Sequence, residues 1–174
     1  MSSIAYDLTK IKGMAFDIDG VLSPSLIPLG EEGYPRRMAN IKDGYALQYA
    51  VRMGMKIAII TGGKGIGVVD RFRSLGVTDI FVNAGEKLPV LKSWMDKLQL
   101  TSEEIAYMGD DIPDIPCLKY VGLPTCPEDA ANDVRTISLF ISRFKGGYGC
   151  VRDLVEQVLR ANGLWMDSKN AFGW

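Results

Sequence analysis

The chemistry open to this sequence rests on five carboxylates and one lysine. Asp17 and Asp19 stand two apart in Phe16-Asp17-Ile18-Asp19-Gly20, and Asp110, Asp111 and Asp114 fall within Gly109-Asp110-Asp111-Ile112-Pro113-Asp114. In extended backbone, residues i and i+2 point to the same side, so Asp17 and Asp19 should converge. Histidine is absent from the 174 residues, which removes Ser-His-Asp and Cys-His nucleophiles, phosphohistidine chemistry and His-ligated zinc. Acid–base work then falls to carboxylates, Lys, Tyr or Cys. Asp-x-Asp-Gly is also turn and calcium-loop chemistry, but Val21 and Leu22 stand where an EF-hand loop would continue its ligands. Carboxylates about 4 Å apart repel by about 4 kcal/mol per pair at an effective dielectric of about 20. The cluster therefore needs a cation, and an all-oxygen set that keeps waters favours Mg²⁺.

Two further groups suit a phosphate. Thr61-Gly62-Gly63 offers a hydroxyl and backbone N–H groups at a strand-to-helix turn. The run Gly62 to Gly67 matches neither G-x-x-x-x-G-K-[ST] nor G-x-G-x-x-G, and it follows the second strand rather than the first, so a dinucleotide site is not expected. Lys87 follows Ala84-Gly85-Glu86 and can supply a second positive charge. These parts suit phosphoryl transfer through a carboxylate nucleophile. Asp17 attacks phosphorus, while Asp19 protonates the leaving alkoxide and then activates water. Mg²⁺ would sit on Asp17, the Asp19 carbonyl and Asp110, with Asp111 and Asp114 holding the ion or its waters, and Thr61 and Lys87 on phosphate oxygens.

Alternating β and α segments must position these groups. Strands are expected at 11–16, 56–60, 79–82, 105–108 and 122–125, with another near 139–141. Helices are expected from Asp43, as cap, to Met53, then over 66–75, 87–98, 115–120, 127–134 and 151–161. Thr101 to Glu104 reads as a capping box. Ser23 to Arg37, with Pro24, Pro28, Pro35, Gly30 and Gly33, reads as a loop or small hairpin. Asp17/Asp19, Thr61 and Asp110/Asp111 each fall just past a different strand, the edge where open parallel sheets bind ligands. Right-handed crossovers let the second and fourth strands flank the first.

Composition sets wide bounds. A length of 174 residues with 47% hydrophobic content suits one domain with an ordinary core, and a net charge of −1 gives no general pull toward nucleic acid or membrane. Three cysteines without a Cys-x-x-Cys pair suit a reduced, cytoplasmic protein. Neither a signal peptide nor a membrane-length apolar run is expected.

With Asp17-Ile18-Asp19-Gly20, Thr61, Lys87 and Gly109-Asp110-Asp111 plus Asp114 in this order, the sequence resembles the haloacid dehalogenase superfamily of phosphatases. Asn40-Ile41-Lys42-Asp43-Gly44-Tyr45, Tyr107 to Asp114 and Gly146-Gly147-Tyr148-Gly149-Cys150-Val151-Arg152 narrow the resemblance to the 3-deoxy-D-manno-octulosonate 8-phosphate (KDO 8-phosphate) phosphatases. It implies a three-layer α/β/α sandwich around a mostly parallel, Rossmann-like sheet, with no cap domain and a small hairpin insertion after the first strand. It also implies a Mg²⁺-dependent homotetramer acting on a sugar phosphate in lipopolysaccharide precursor synthesis. Substrate contacts carried over by resemblance are Asp19, Asn40, Ile41, Lys42, Asp43, Gly44, Gln48, Arg71 and Lys87, beside the Gly62 turn. The metal set carried over is Asp17, Asp19, Asp110 and Asp111. The family usually has Arg after Thr-Gly, where this chain has Gly63 followed by Lys64. A nine-carbon relative, 2-keto-3-deoxy-nononate 9-phosphate, is the alternative substrate. A phospho-accepting signalling domain and a non-catalytic assembly subunit are the readings from other classes. Spacing agrees with the capless form: about forty residues separate Gly20 from Thr61 and about twenty-five separate Thr61 from Lys87, too few for an added domain. The tail 164–174 is expected either to reach a neighbouring active site or to fray.

Overall fold

Short apolar runs bounded by Gly, Lys or Asp make six strands that pair in parallel: β1 (Gly13–Phe16), β2 (Lys56–Ile60), β3 (Asp79–Phe81), β4 (Ile105–Met108), β5 (Leu123–Cys126) and β6 (Phe140–Ile141). The structure is a computed structural model that describes residues 4–30, 36–64, 66–166 and 171–173. Pro35, Gly33, Gly65 and Trp174 of the sequence reading lie outside the described residues. The strand order is β3-β2-β1-β4-β5-β6.

Side-chain alternation builds a core on each face of the sheet. Met14, Phe16, Ile57, Ile59, Ala106 and Met108 join one apolar cluster, and Ala15, Ala58, Ile60, Ile105 and Tyr107 join the other. The first cluster takes Ala46, Leu47 and Ala50 of α1 (Ile41–Arg52), Phe72 of α2 (Ile66–Arg73) and Val151 to Leu159 of α6 (Cys150–Ala161). The second takes Leu91, Trp94 and Met95 of α3 (Lys87–Leu98), Cys117 and Leu118 of α4 (Ile115–Tyr120) and Val134 of α5 (Asn132–Ile137). This is the expected three-layer arrangement.

The chain winds outward from β1 to β3, then crosses to β4 on the other side of β1 and winds outward again. A right-handed crossover in each direction puts α1 and α2 on one face and α3, α4 and α5 on the other. The reversal lies between β1 and β4. At such a switch point the loops leaving adjacent strands diverge and open a crevice at the carboxyl edge, and Asp17 and Asp110 lie on those two loops.

Most strand and helix ends lie within one or two residues of expectation, and two boundaries differ by more, for physical reasons. The cap of α1 is Asn40, whose Oδ1 accepts from Lys42 N and Asp43 N at 2.9 and 3.4 Å. Asp43 lies inside the first turn, buried, and its Oδ1 accepts the Arg152 N–H at 2.7 Å, so it caps α6 instead. Helix α5 begins at Asn132 rather than Pro127 because the preceding residues are tied to the 142–146 loop: Glu128 N donates to Phe144 O and Gly146 N donates to Asp129 Oδ1.

Burial pushes the Asp43 carboxyl up to about 6, against the N–H groups of Arg152 and Gly149 and the Arg152 charge, and its Oδ2 has no hydrogen-bond partner among the described residues. A raised folded pKa favours the neutral acid. Its contribution to stability is full below pH 4 or so and is lost as pH rises through 6, a swing of about 3 kcal/mol. Asp43→Asn is therefore expected to gain stability relative to the parent between pH 4 and pH 7. Parallel denaturation profiles across that range would refute it.

Candidate active site

Asp17 follows β1 directly, and its N–H donates to Met108 O, the last residue of β4. That bond extends the β1–β4 ladder past the strand end and fixes Asp17 beside the loop that carries Asp110. One carboxylate oxygen from each of Asp17, Asp110 and Asp114 lies within 4.8 Å of the other two. Gly20 permits this approach: its φ is +87°, and a Cβ there would overlap the Asp110 carboxylate. Any side chain at 20 would be both strained and blocked.

Lys87, at the start of α3, ties the cluster together. Its Nζ lies 2.9 Å from Asp17 Oδ2 and 2.7 Å from Asp114 Oδ1, with the side chain almost wholly buried. Burial works against the ammonium charge, but Asp114 and Asp17 outweigh it and the Lys87 pKa is raised. Asp114 is 1% exposed. Its Oδ1 also accepts the Tyr107 hydroxyl at 2.7 Å, and its Oδ2 accepts Asp110 N–H at 3.1 Å and Asp111 N–H at 3.4 Å. Asp114 thus acts as the brace under the Asp110 loop.

On the protein's own charges, the open carboxylates are hard to ionise. Burial, then repulsion from Asp114, raises Asp17 to about 6 in spite of Lys87. Burial, then Asp114, Asp17 and Asp111, raises Asp110 to about 8. Two adjacent carboxylates that resist ionising are suited to a hard divalent cation, whose charge reverses the penalty. Asp17 and Asp110 fit such an ion, with Asp114 behind them.

The other predicted residues divide into groups. Thr61 follows β2, is 2% exposed, and its Oγ1 accepts the Gly63 N–H at 3.0 Å; Gly62 stands clear, with only Ala84 O near it. Asp19 is half-buried, and its carboxylate is held by Arg37 rather than by the cluster: Nε donates to Oδ1 and Nη2 to Oδ2, both at 2.7 Å. Asp111 is exposed and turns its Oδ1 to the Ile112 N–H at 2.8 Å as a helix cap, so the structure puts Asp114, not Asp111, in the converging set. Asn40, besides capping α1, donates from Nδ2 to Gly147 O at 3.1 Å. The Arg71 guanidinium covers Gly44, where a Cβ would stand 2.8 Å from Nη2. Gln48 has a buried Oε1 with no partner among the described residues. Ile41 is 66% exposed. Lys42 lines a separate cleft of about 520 Å³ with Arg143, Phe144, Tyr148 and Arg152, a cleft that holds none of the clustered carboxylates.

Two residues of the site were not anticipated. Tyr107 carried one available signal, a polar tip in a strand buried on both faces, which needs a partner. Arg37 had only the Arg36-Arg37 pair in a loop, a pattern that usually means solvated charge. In the tail, Tyr45 donates to Ala171 O, Arg52 Nη1 donates to Gly173 O at 2.8 Å, and Trp165 packs edge-on to Tyr49. Residues 167–170 and 174 lie outside the described residues.

No family model matches the chain. Against known proteins, it is 35% identical over 160 residues, 92% of this chain and 85% of the other, to the 3-deoxy-D-manno-octulosonate 8-phosphate phosphatase of Escherichia coli K12. Its fold matches the crystal structure of the enzyme of that name from Yersinia pestis with a TM-score of 0.87 at 32% identity, covering 91% of this chain and 85% of that one. It also matches the Moraxella catarrhalis enzyme, solved with magnesium, phosphate and KDO, with a TM-score of 0.86 at 32% identity and 91% of both chains.

Proposed function

The chain belongs to the KDO 8-phosphate phosphatase family of the haloacid dehalogenase superfamily, and from that premise we propose that it hydrolyses KDO 8-phosphate to KDO and phosphate through an aspartyl-phosphate on Asp17. The observation that carries the mechanism is the pairing of Asp17 Oδ2 with buried Lys87 beside Asp110 at the sheet's switch point. One oxygen of the nucleophile is anchored there and the other is left for phosphorus.

Mg²⁺, held by Asp17 and Asp110, supplies positive charge that lets a phosphate dianion approach an anionic carboxylate. The residues of the chain do the rest. Thr61 and Lys87 hold phosphate oxygens in line with Asp17. Asp17 forms a bond to phosphorus as the ester P–O bond breaks, and Asp19 gives its proton to the leaving sugar oxygen. Asp19 then takes a proton from the water that cleaves the aspartyl-phosphate, which frees phosphate and restores both carboxyl groups. Gln48 of α1 and Arg71 of α2 would meet the sugar acid away from its phosphate.

Assembly belongs to the same reading. Leu26 and Leu29, 87% and 78% exposed on the loop after β1, suit cover by a neighbouring subunit of a cytoplasmic homotetramer, which would keep water from the phosphate. A tail that reaches a neighbour would have to leave its contacts with Tyr45 and Arg52. Among the described residues, no helix is long and apolar enough to cross a membrane.

Phosphate release with Mg²⁺ over a panel of KDO 8-phosphate, its nine-carbon homologue and common hexose phosphates tests the reading. KDO 8-phosphate is expected to lead the hexose phosphates in kcat/KM by about a hundredfold, the scale of a few lost polar contacts. Equal rates on hexose phosphates, or a lead for the nine-carbon ester, would overturn the assignment.

A further inference from the structure

A two-armed ion pair at the rim involves a residue with no assigned role. Arg37 reaches back from the end of the loop after β1 and grips Asp19 with both arms of its guanidinium, at 2.7 Å each. A third contact, Nη1 to Lys64 O at 3.2 Å, fixes the group from the opposite side. The Arg37 side chain is only 11% exposed, against 36% for Asp19. It lies where the turn after β2 has no side chain: a Cβ on Gly63 would overlap Arg37 Nη2 and stand 3.3 Å from Asp19 Oδ2. A side chain at 63 would therefore push the Arg37 guanidinium out of this position.

We propose that Arg37 is the positioning residue for Asp19, and that it acts on proton transfer to the leaving group. The proposal rests on the reading of Asp19 as general acid and base. As the ester bond breaks, the proton passes from Asp19 to the leaving oxygen, and the carboxylate left behind carries a full negative charge. A two-armed guanidinium fits that carboxylate and not the neutral acid, whose protonated oxygen is a poor acceptor. The fork therefore holds the carboxylate in one orientation, ready to take the proton of the attacking water. Buried in its seat, the guanidinium also fixes the direction in which an otherwise half-exposed Asp19 presents its oxygen. Lysine keeps the charge but not the fork.

Such a role shows in how rate depends on the leaving group. A phenolate needs little help from a proton, whereas an alkoxide needs much. The test measures kcat/KM with Mg²⁺ for small phosphate monoesters without a sugar acid, from p-nitrophenyl phosphate to glycerol 3-phosphate, in the parent, Arg37→Ala, Arg37→Lys, Gly63→Ala and Asp19→Asn. Arg37→Ala is expected to lose about tenfold more on the alkyl ester than on the aryl ester, within the range of general acid catalysis. Arg37→Lys should recover part of that loss. Gly63→Ala should reproduce it with Arg37 intact, because its methyl takes the guanidinium's seat, and it serves should Arg37→Ala fold poorly. Equal losses on both esters, or no loss, would each overturn the proposal. Asp19→Asn separates the two levels. If it shows the leaving-group dependence and Arg37→Ala does not, Arg37 alone is dismissed; if it shows none, the reading of Asp19 itself falls.

Discussion

Asp17→Asn is expected to fold normally and to turn over KDO 8-phosphate at less than about a thousandth of the parental rate, the scale of losing a nucleophile. An amide nitrogen or oxygen cannot form the phosphoryl bond that the carboxylate forms, and nothing near it can substitute: Asp114 is occupied on both oxygens, and Asp110 is set by that brace. The same substitution has a thermodynamic signature. In the parent, Asp17 near 6 and Asp110 near 8 mean that the fold holds protons that its unfolded chain has lost. The stability they contribute without a metal is full at low pH and falls as pH rises through those values. A divalent ion needs both groups ionised, so its binding releases protons and tightens from pH 6 to pH 8. A Mg²⁺ concentration a hundred times its dissociation constant at pH 8 should raise parental stability by about 2.7 kcal/mol there, and the same concentration should give a smaller gain at pH 6. Asp17→Asn removes one repelling charge and one ligand. It should match or exceed the parent without Mg²⁺ above pH 6 and gain little from the ion. Substantial turnover by the variant, checked by phosphate release, would remove Asp17 as nucleophile, and an undiminished Mg²⁺ shift would remove it as a ligand.

What could be read from the sequence was what depends on short range. β2, α3, β4 and α4 begin and end where the apolar runs and their flanking Gly, Lys and Asp residues put them, since each is specified within its own few residues. The convergence of Asp17 with Asp110 was also accessible, because handedness and strand order decide it before any side chain does. Choices between chemically equal neighbours were not. Asn40 and Asp43 are both competent caps, and only the distant Arg152 N–H, 109 residues on, takes Asp43 out of that role. Asp111 and Asp114 are equal carboxylates in one run. A short turn sends the first outward to Ile112 N and the second inward to Lys87 and Tyr107. Arg37 is the extreme case. Its place is set by a missing side chain at Gly63 and by a carboxylate 18 residues earlier, and no periodicity connects the three.

Lys87→Met should lower stability by about 3 kcal/mol and kcat by roughly a hundredfold or more, and the two losses should respond differently to Mg²⁺. The substitution keeps the length and apolar stem of the side chain while removing the ammonium that touches Asp17 Oδ2 and Asp114 Oδ1. What remains is a buried Asp114 with only neutral donors, Tyr107 and two backbone N–H groups, facing Asp17 across an apolar methionine. Breaking a buried pair in this way costs more than the pair was worth, because the partners stay behind as unpaired charge. Added Mg²⁺ can answer part of that deficit through Asp17 and Asp110, so denaturation with and without the ion should show a larger Mg²⁺ gain in Lys87→Met than in the parent. Turnover should not follow. In the proposed mechanism the ammonium also holds phosphate oxygens that develop charge during transfer, a contact that a cation on Asp17 and Asp110 would not replace. Recovery of both stability and kcat by Mg²⁺ would make Lys87 a structural counter-charge only; recovery of stability alone assigns it to the phosphate.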